Sequence, residues 1–218
     1  MKKLLAFALL SALVLSLAAC GGAPAAVSNT PAAEVQETAS VTFEPAHASG
    51  RQNGERFEEV IALEGMEETV RYEHVRNDEL GFEMDYDYES LVRRSEPERE
   101  CFISIYDDPQ NPQYYLEVTA SASDTETVAA SVSDDLSDKY EIIRETYELD
   151  RAGSCIRIVV SGSKGGGLPD ELQTVYIVPA PDGSRVAAAH YTPEGAEGFG
   201  RRFAYLMQTF SPLERTGQ

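Results

Sequence analysis

Residues 82–89 read Phe-Glu-Met-Asp-Tyr-Asp-Tyr-Glu, apolar and acidic by turns. A period of two suits an extended strand, because successive side chains there point to opposite faces. Phe82, Met84, Tyr86 and Tyr88 fall on one side and Glu83, Asp85, Asp87 and Glu89 on the other. The expectation is a strand of an antiparallel sheet with one buried and one solvated face.

The rest of the chain after residue 55 follows suit. Residues 58–63 and 69–75 flank Glu64-Gly65-Met66-Glu67 and read as a hairpin, although Phe57, Val60, Ile61 and Glu64 also fit one helical face. Further strands are expected at 101–106, 113–120, 141–149, 154–161, 172–179 and 185–191. Asp150-Arg151-Ala152-Gly153 and Pro181-Asp182-Gly183-Ser184 supply turns between neighbours. The strand carrying Ile156, Ile158 and Val160 is apolar on much of both faces, which predicts a central position.

Two helices are expected. Ser123 and Glu126 form a capping box opening a helix to about Asp138, with Val128, Val132 and Leu136 on one side. The second starts at Thr192 with Pro193 in its first turn, where the missing N–H costs nothing. Phe199, Phe203, Leu206 and Phe210 then form an apolar stripe suited to core packing. Together these elements predict an α+β fold: a single domain over 56–212, an antiparallel β-sheet flanked by helices, with 213–218 as a tail.

The order Leu80-Gly81-Phe82-Glu83-Met84-Asp85-Tyr86, a strand pair, a helix, a four-strand meander and a closing helix ending in Thr209-Phe210 resembles the exported PsbP-like domains. The resemblance covers roughly residues 78–211. It implies a PsbP-like sandwich with a central antiparallel sheet between helices, of a kind most of whose members have no known catalytic activity, and it assigns no functional residue.

The amino end has a different character. Lys2 and Lys3 precede an apolar run from Leu4 to Leu17, broken only by Ser11 and Ser16. The run is too short to span a bilayer comfortably, which takes about 17–25 residues, and it matches a signal peptide over residues 1–19. Leu17-Ala18-Ala19-Cys20-Gly21 resembles the lipobox of bacterial lipoproteins. That resemblance implies a diacylglyceryl group on the Cys20 thiol and cleavage just before it; the alternative is an ordinary signal peptide cut nearby. Two acyl chains hold a protein stably on a membrane where one holds marginally. Residues 20–55, rich in Ala, Pro, Ser, Thr and Glu, lack the apolar surface to order themselves and read as a linker containing His47.

The formal charge of −19 becomes −21 once Lys2 and Lys3 leave with the leader. Such a chain repels phosphate backbones, which excludes nucleic acid as a partner, and it is unsuited to lying flat on anionic lipid. The expected partners are the membrane, through the anchor, and an unknown protein or envelope ligand. With Cys20 taken by lipid, Cys101 and Cys155 form an even pair in an exported chain. A disulfide is one expectation and two buried free thiols the other.

No catalytic residue is assigned. The ladder Glu83, Asp85, Asp87 and Glu89, with Asp107 and Asp108, offers carboxylate oxygens to a divalent cation, but alternate strand residues spread them by nearly 7 Å, and a solvated face is expected. His74 and His190 are the imidazoles of the domain, and a thiol–base pair of Cys101 or Cys155 with His190 is set against structural roles for each. No His-Glu-x-x-His or Cys-x-x-Cys is present, so neither a metal nor a cofactor is expected. Ser161-Gly162-Ser163-Lys164-Gly165-Gly166-Gly167 lacks the Gly-Lys-Ser/Thr of a phosphate loop and reads as a hairpin loop. The expected function is a non-catalytic binding or scaffolding lipoprotein on the extracytoplasmic face of the cell membrane; the alternative is a small cell-envelope hydrolase using acidic residues.

Overall fold

Eleven strands and two α-helices form two antiparallel sheets in the computed structural model, which describes residues 49–63 and 66–216. These all belong to one unit, residues 39–218. Cys20, the leader, His47 and most of the linker lie outside the described residues.

The smaller sheet has the order β1 (Arg56–Leu63), β2 (Met66–Asn77), β3 (Phe82–Asp87) and β11 (Ser211–Pro212). β1 and β2 make the expected hairpin, with Leu63 opposite Met66. The larger sheet runs β4 (Leu91–Glu96), β5 (Arg99–Ser104), β6 (Tyr115–Ser121), β10 (Gly183–Tyr191), β9 (Leu172–Ala180), β8 (Gly153–Ser163) and β7 (Tyr140–Leu149). An antiparallel sheet with helices set against it is the α+β class expected. Two details differ. β8, expected at the centre, is next to the edge strand β7. β4, with the polar sequence Leu-Val-Arg-Arg-Ser-Glu, has no alternation that would have announced it.

One apolar core lies between the sheets. It joins Phe82, Met84 and Tyr86 of β3 to Phe102, Leu116, Val118, Tyr176, Val178 and Cys155 of the larger sheet. The aromatic stripe enters the same core, with the Phe82 and Phe210 rings stacked at 5.5 Å. The segment bearing this stripe is a composite. Thr192 caps a short 3-10 turn over Pro193–Gly195, a π-turn follows over Ala196–Gly200, and only then comes α2 (Arg201–Gln208). Burial of Phe203, Leu206, Met207 and Phe210, at about 1.5–3 kcal/mol for each apolar side chain, holds it in place.

α1 (Thr125–Ser137) covers the opposite face of β8, β9 and β10, where Ala129, Ile156, Ile158, Val175, Ile177 and Ala188 form a second core with Val128, Val132 and Leu136 beside them. Its cap is Asp124, one residue later than expected: the carboxylate accepts the Thr127 N–H at 2.8 Å. Asp accepts this bond as well as Ser does and adds a negative charge at the positive end of the helix.

A buried arginine ties the smaller sheet to the larger. Arg185 of β10 is fully buried; its Nε donates to the Gly81 carbonyl at 2.8 Å and its Nη2 to the Leu213 carbonyl at 2.6 Å. Gly81 sits at φ 70° with Arg185, Leu213 and Arg215 packed where a side chain would go, so only glycine fits. Residues 49–55 run along β2, within the smaller sheet. Their composition is that of the linker, yet they bond to His74 of β2: the Gly54 N–H donates to the His74 carbonyl and the His74 N–H donates to the Glu55 carbonyl, both at 2.8 Å.

Candidate functional site

The acidic ladder is the main departure from expectation. Every residue of β3 is buried on both faces. Glu83, Asp85 and Asp87 are 3%, 1% and 5% exposed, so the supposed wet face is a sealed ionic layer. Isolated buried carboxylates would cost several kcal/mol each, and here every one has partners drawn from distant sequence.

Asp85 is the hub. Its Oδ1 lies 2.7 Å from His74 Nδ1 on the facing position of β2, and its Oδ2 accepts from Arg151 Nη2 at 2.6 Å and Arg51 Nη1 at 3.3 Å. Its backbone N–H donates to Thr209 Oγ1 at 2.9 Å. Asp87 pairs with Arg202 at 2.9 Å, which also holds Glu68 at 2.7 Å. Glu83 accepts the Ser49 N–H at 3.0 Å and stands 3.8 Å from His74 Nε2 and 3.9 Å from Arg76. Only Glu89, beyond the end of the strand, is exposed, paired with Arg71 at 2.7 Å.

Within this layer Ser49 Oγ lies 3.3 Å from His74 Nε2, so Ser49, His74 and Asp85 are spaced as a nucleophile, base and orienting acid would be. The surroundings fit a structural role instead. The His74 side chain is wholly buried, Ser49 Oγ already accepts the Arg51 N–H at 3.1 Å, and Glu83 shares the Nε2 side of the ring. The sequence hid the set because Ser49 sits in a segment of linker composition.

A second ionic knot binds β4 to β5. Glu100 is fully buried and accepts from Arg93 Nε at 2.7 Å, Ser95 Oγ at 2.6 Å and Asn77 Nδ2 at 2.7 Å. Burial pushes its carboxyl upward, but the three hydrogen bonds outweigh it and the net shift is downward.

Cys101 and Cys155 are free thiols. Cys101 belongs to β5 and Cys155 to β8, with β6, β10 and β9 between them. At about 4.8 Å per strand the gap is far beyond the reach of a disulfide, so the bridge weighed from the even count is not formed. Desolvation, reinforced by Glu117, pushes the Cys101 thiol up to about 11, and desolvation pushes Cys155 up to about 12. Neither thiol meets a histidine. Cys101 Sγ donates to Glu117 at 4.0 Å, while His190 stacks on Tyr115 with ring centroids 4.3 Å apart and holds Glu171 at 2.6 Å through Nδ1.

α1 leaves the β5–β6 half of the larger sheet uncovered. There Cys101, Ile103, Tyr115, Pro109 and Pro112 line a hollow of ≈ 210 Å³. Its rim is charge-balanced, with Arg99 bonded to Glu96 at 2.7 Å and to Glu117 at 3.0 Å. Asp107 and Asp108 do not join the ladder; Asp107 accepts the Gln113 and Tyr114 N–H groups and Asp108 that of Gln110, which ties the loop between β5 and β6 together. Among the described residues no cluster of three or more His, Cys, Asp or Glu is placed to hold a metal, and no helix is long and apolar enough to cross a membrane. Residues 164–171, including the glycine run, connect β8 to β9.

The fold and its sealed ionic layer define a two-sheet α+β domain. No protein-family model and no curated protein matches the chain. Among solved structures it is similar to the cyanobacterial PsbP protein (CyanoP) of Synechocystis sp. PCC 6803, with a TM-score of 0.44 and 10% identity over 65% of this chain and 92% of that one. It is also similar to LpqN, involved in cell envelope biogenesis in Mycobacterium tuberculosis, with a TM-score of 0.42 and 14% identity over 65% of this chain and 90% of that one. Both likenesses are loose, and neither assigns a role to a residue of this chain.

Proposed function

We propose that this chain is an exported lipoprotein, held to the outer face of the cell membrane through a diacylated Cys20, whose sheet domain is a non-catalytic binding or scaffolding module. The observation that carries the non-catalytic part is the sealed layer on β3: Glu83, Asp85 and Asp87, the residues best suited to acid–base work, are buried and committed to Arg51, Arg151, Arg202, His74 and backbone N–H groups. A hydrolase using two carboxylates needs them free and facing across a gap of about 5–10 Å that admits substrate. The anchor rests on the Lys2-Lys3 start, the apolar run and Leu17-Ala18-Ala19-Cys20.

Crosslinking the anchored protein in intact cells tests the module reading. Recovery of one defined membrane or envelope complex is the expected result. Hydrolysis of envelope polymers by the purified protein, abolished by one or two carboxylate substitutions, would overturn it.

A further inference from the structure

The chain is strongly acidic, and its arginines are nearly all spoken for. Among the described residues every arginine except Arg201 has a carboxylate within ion-pair distance. Arg201 is exposed at the start of α2 and is the one charged residue lining a cleft of ≈ 280 Å³, formed with Ala62, Tyr147, Ala204, Tyr205 and Gln208.

The cleft is built from fixed parts. Arg201, Ala204, Tyr205 and Gln208 recur at helical spacing on the side of α2 away from its core residues Phe203, Leu206 and Met207. The Tyr205 hydroxyl donates to the Ala62 carbonyl at 2.5 Å, and Gln208 Nε2 donates to the Tyr147 hydroxyl at 3.2 Å while its Oε1 accepts the Asp150 N–H at 3.0 Å. Arg157 lies 3.7 Å from the Tyr147 ring centroid and pairs with Glu145, so its charge is neutralised. With the polar tips of both tyrosines engaged, the cleft offers ring surface, two alanine methyl groups and one uncompensated guanidinium. That combination suits an apolar group ending in an anion.

The neighbouring strand narrows the class of ligand. β1 is the edge of the smaller sheet, paired with β2 on one side only; Ala62, its carbonyl held by Tyr205, brings it into the cleft, and the edge open to an added strand is the stretch before it, around Val60. Val60, two residues earlier, is 59% exposed. An unpaired strand edge is a template for an added strand, in which backbone hydrogen bonds supply affinity and side-chain pockets supply selectivity. The cleft lies just below the range for ligand pockets, roughly 300–1,000 Å³, and so suits one or two residues better than a long acyl chain.

We propose that this cleft binds the free C-terminus of a partner polypeptide, which pairs with the edge of β1, places its last apolar side chain between Tyr147 and Tyr205, and sets its carboxylate on Arg201. The proposal rests on the binding-module reading and adds the chemistry of the partner.

The test is fluorescence anisotropy with the full-length protein and a fluorescein-labelled peptide ending in Thr-Val-Ala-Val, as the free acid and as the carboxamide. The acid is expected to bind about tenfold more tightly, the scale of one charge-assisted contact. Arg201→Gln should abolish that preference, Arg201→Lys should restore part of it, and N-methylation of alternate peptide amides should weaken binding. Equal binding of acid and amide, no binding of either, or displacement of the peptide by octanoate at the peptide's own concentration would each overturn the proposal. Unchanged preference in Arg201→Gln, with an unaltered circular dichroism spectrum, would do the same. The crosslinking outcome is independent of all of these, so failure here is distinguishable from failure of the module reading.

Discussion

Replacing Asp85 by Asn removes one charge and almost no volume, which isolates the electrostatic role of the β3 layer. In the structure its side chain is 2% exposed and faces His74, Arg51 and Arg151. Removing one member of a buried ion pair typically costs about 3–5 kcal/mol, because the remaining charge stays desolvated. The side chains of Arg51 and Arg151 are 30% and 20% exposed, so they recover part of their hydration. The expected loss is therefore at the lower end, about 3 kcal/mol. In a domain of this size that lowers Tm by about 6–12 °C. Glu89→Gln is the internal control: it lies just past the same strand, and its side chain and that of Arg71 are about half exposed. A surface pair of that kind contributes about 0–1 kcal/mol. Urea and thermal unfolding followed by circular dichroism would measure both variants, and a cycle with Arg151→Met would give the pairwise coupling. If Asp85→Asn proves as mild as Glu89→Gln, the ladder is solvated and the account of β3 is wrong.

Gly81→Ala is expected to cost about 2–4 kcal/mol in urea unfolding, from an alanine held at φ 70° and from crowding against the Leu213 carbonyl 2.7 Å from the new Cβ; a neutral result would break the Arg185 clamp as described. Glu100, held below the ordinary carboxylate value by Arg93, Ser95 and Asn77 against its burial, stabilises the fold above the unfolded carboxylate range and loses that contribution as pH falls through its folded value. Glu100→Gln should flatten this acid limb of the stability–pH curve, and an unchanged slope would contradict the assignment. Cys101 and Cys155 should resist a thiol reagent at pH 8 in the native protein and both react after unfolding without reductant; failure to react after unfolding would mean they are bridged.

Much of the architecture was legible because alternation is a local signal. The strands around Ile103, Val118, Ile158, Val175 and Ala187 each announce themselves within a few residues, as does α1 through Val128, Val132 and Leu136. The burial of β3 was not legible. Alternating acids normally mean water on one side, and what reverses this are Arg51, Arg151 and Arg202, which lie 34, 66 and 115 residues from the aspartates they bind. The Ser49–His74–Asp85 set was missed for the same reason, since its three members meet only when residues 49–55 fold back along β2. Nothing in the sequence around Arg201 sets it apart; the structure does, since every other described arginine has a carboxylate within ion-pair distance.

The membrane anchor is tested most directly by the mass of the mature amino-terminal peptide, recovered from membranes of cells expressing the unaltered gene. The account predicts a peptide beginning at Cys20 that carries a diacylglyceryl group, with the protein moving to the soluble fraction in Cys20→Ala. An unacylated peptide, or one beginning beyond position 20, would contradict it.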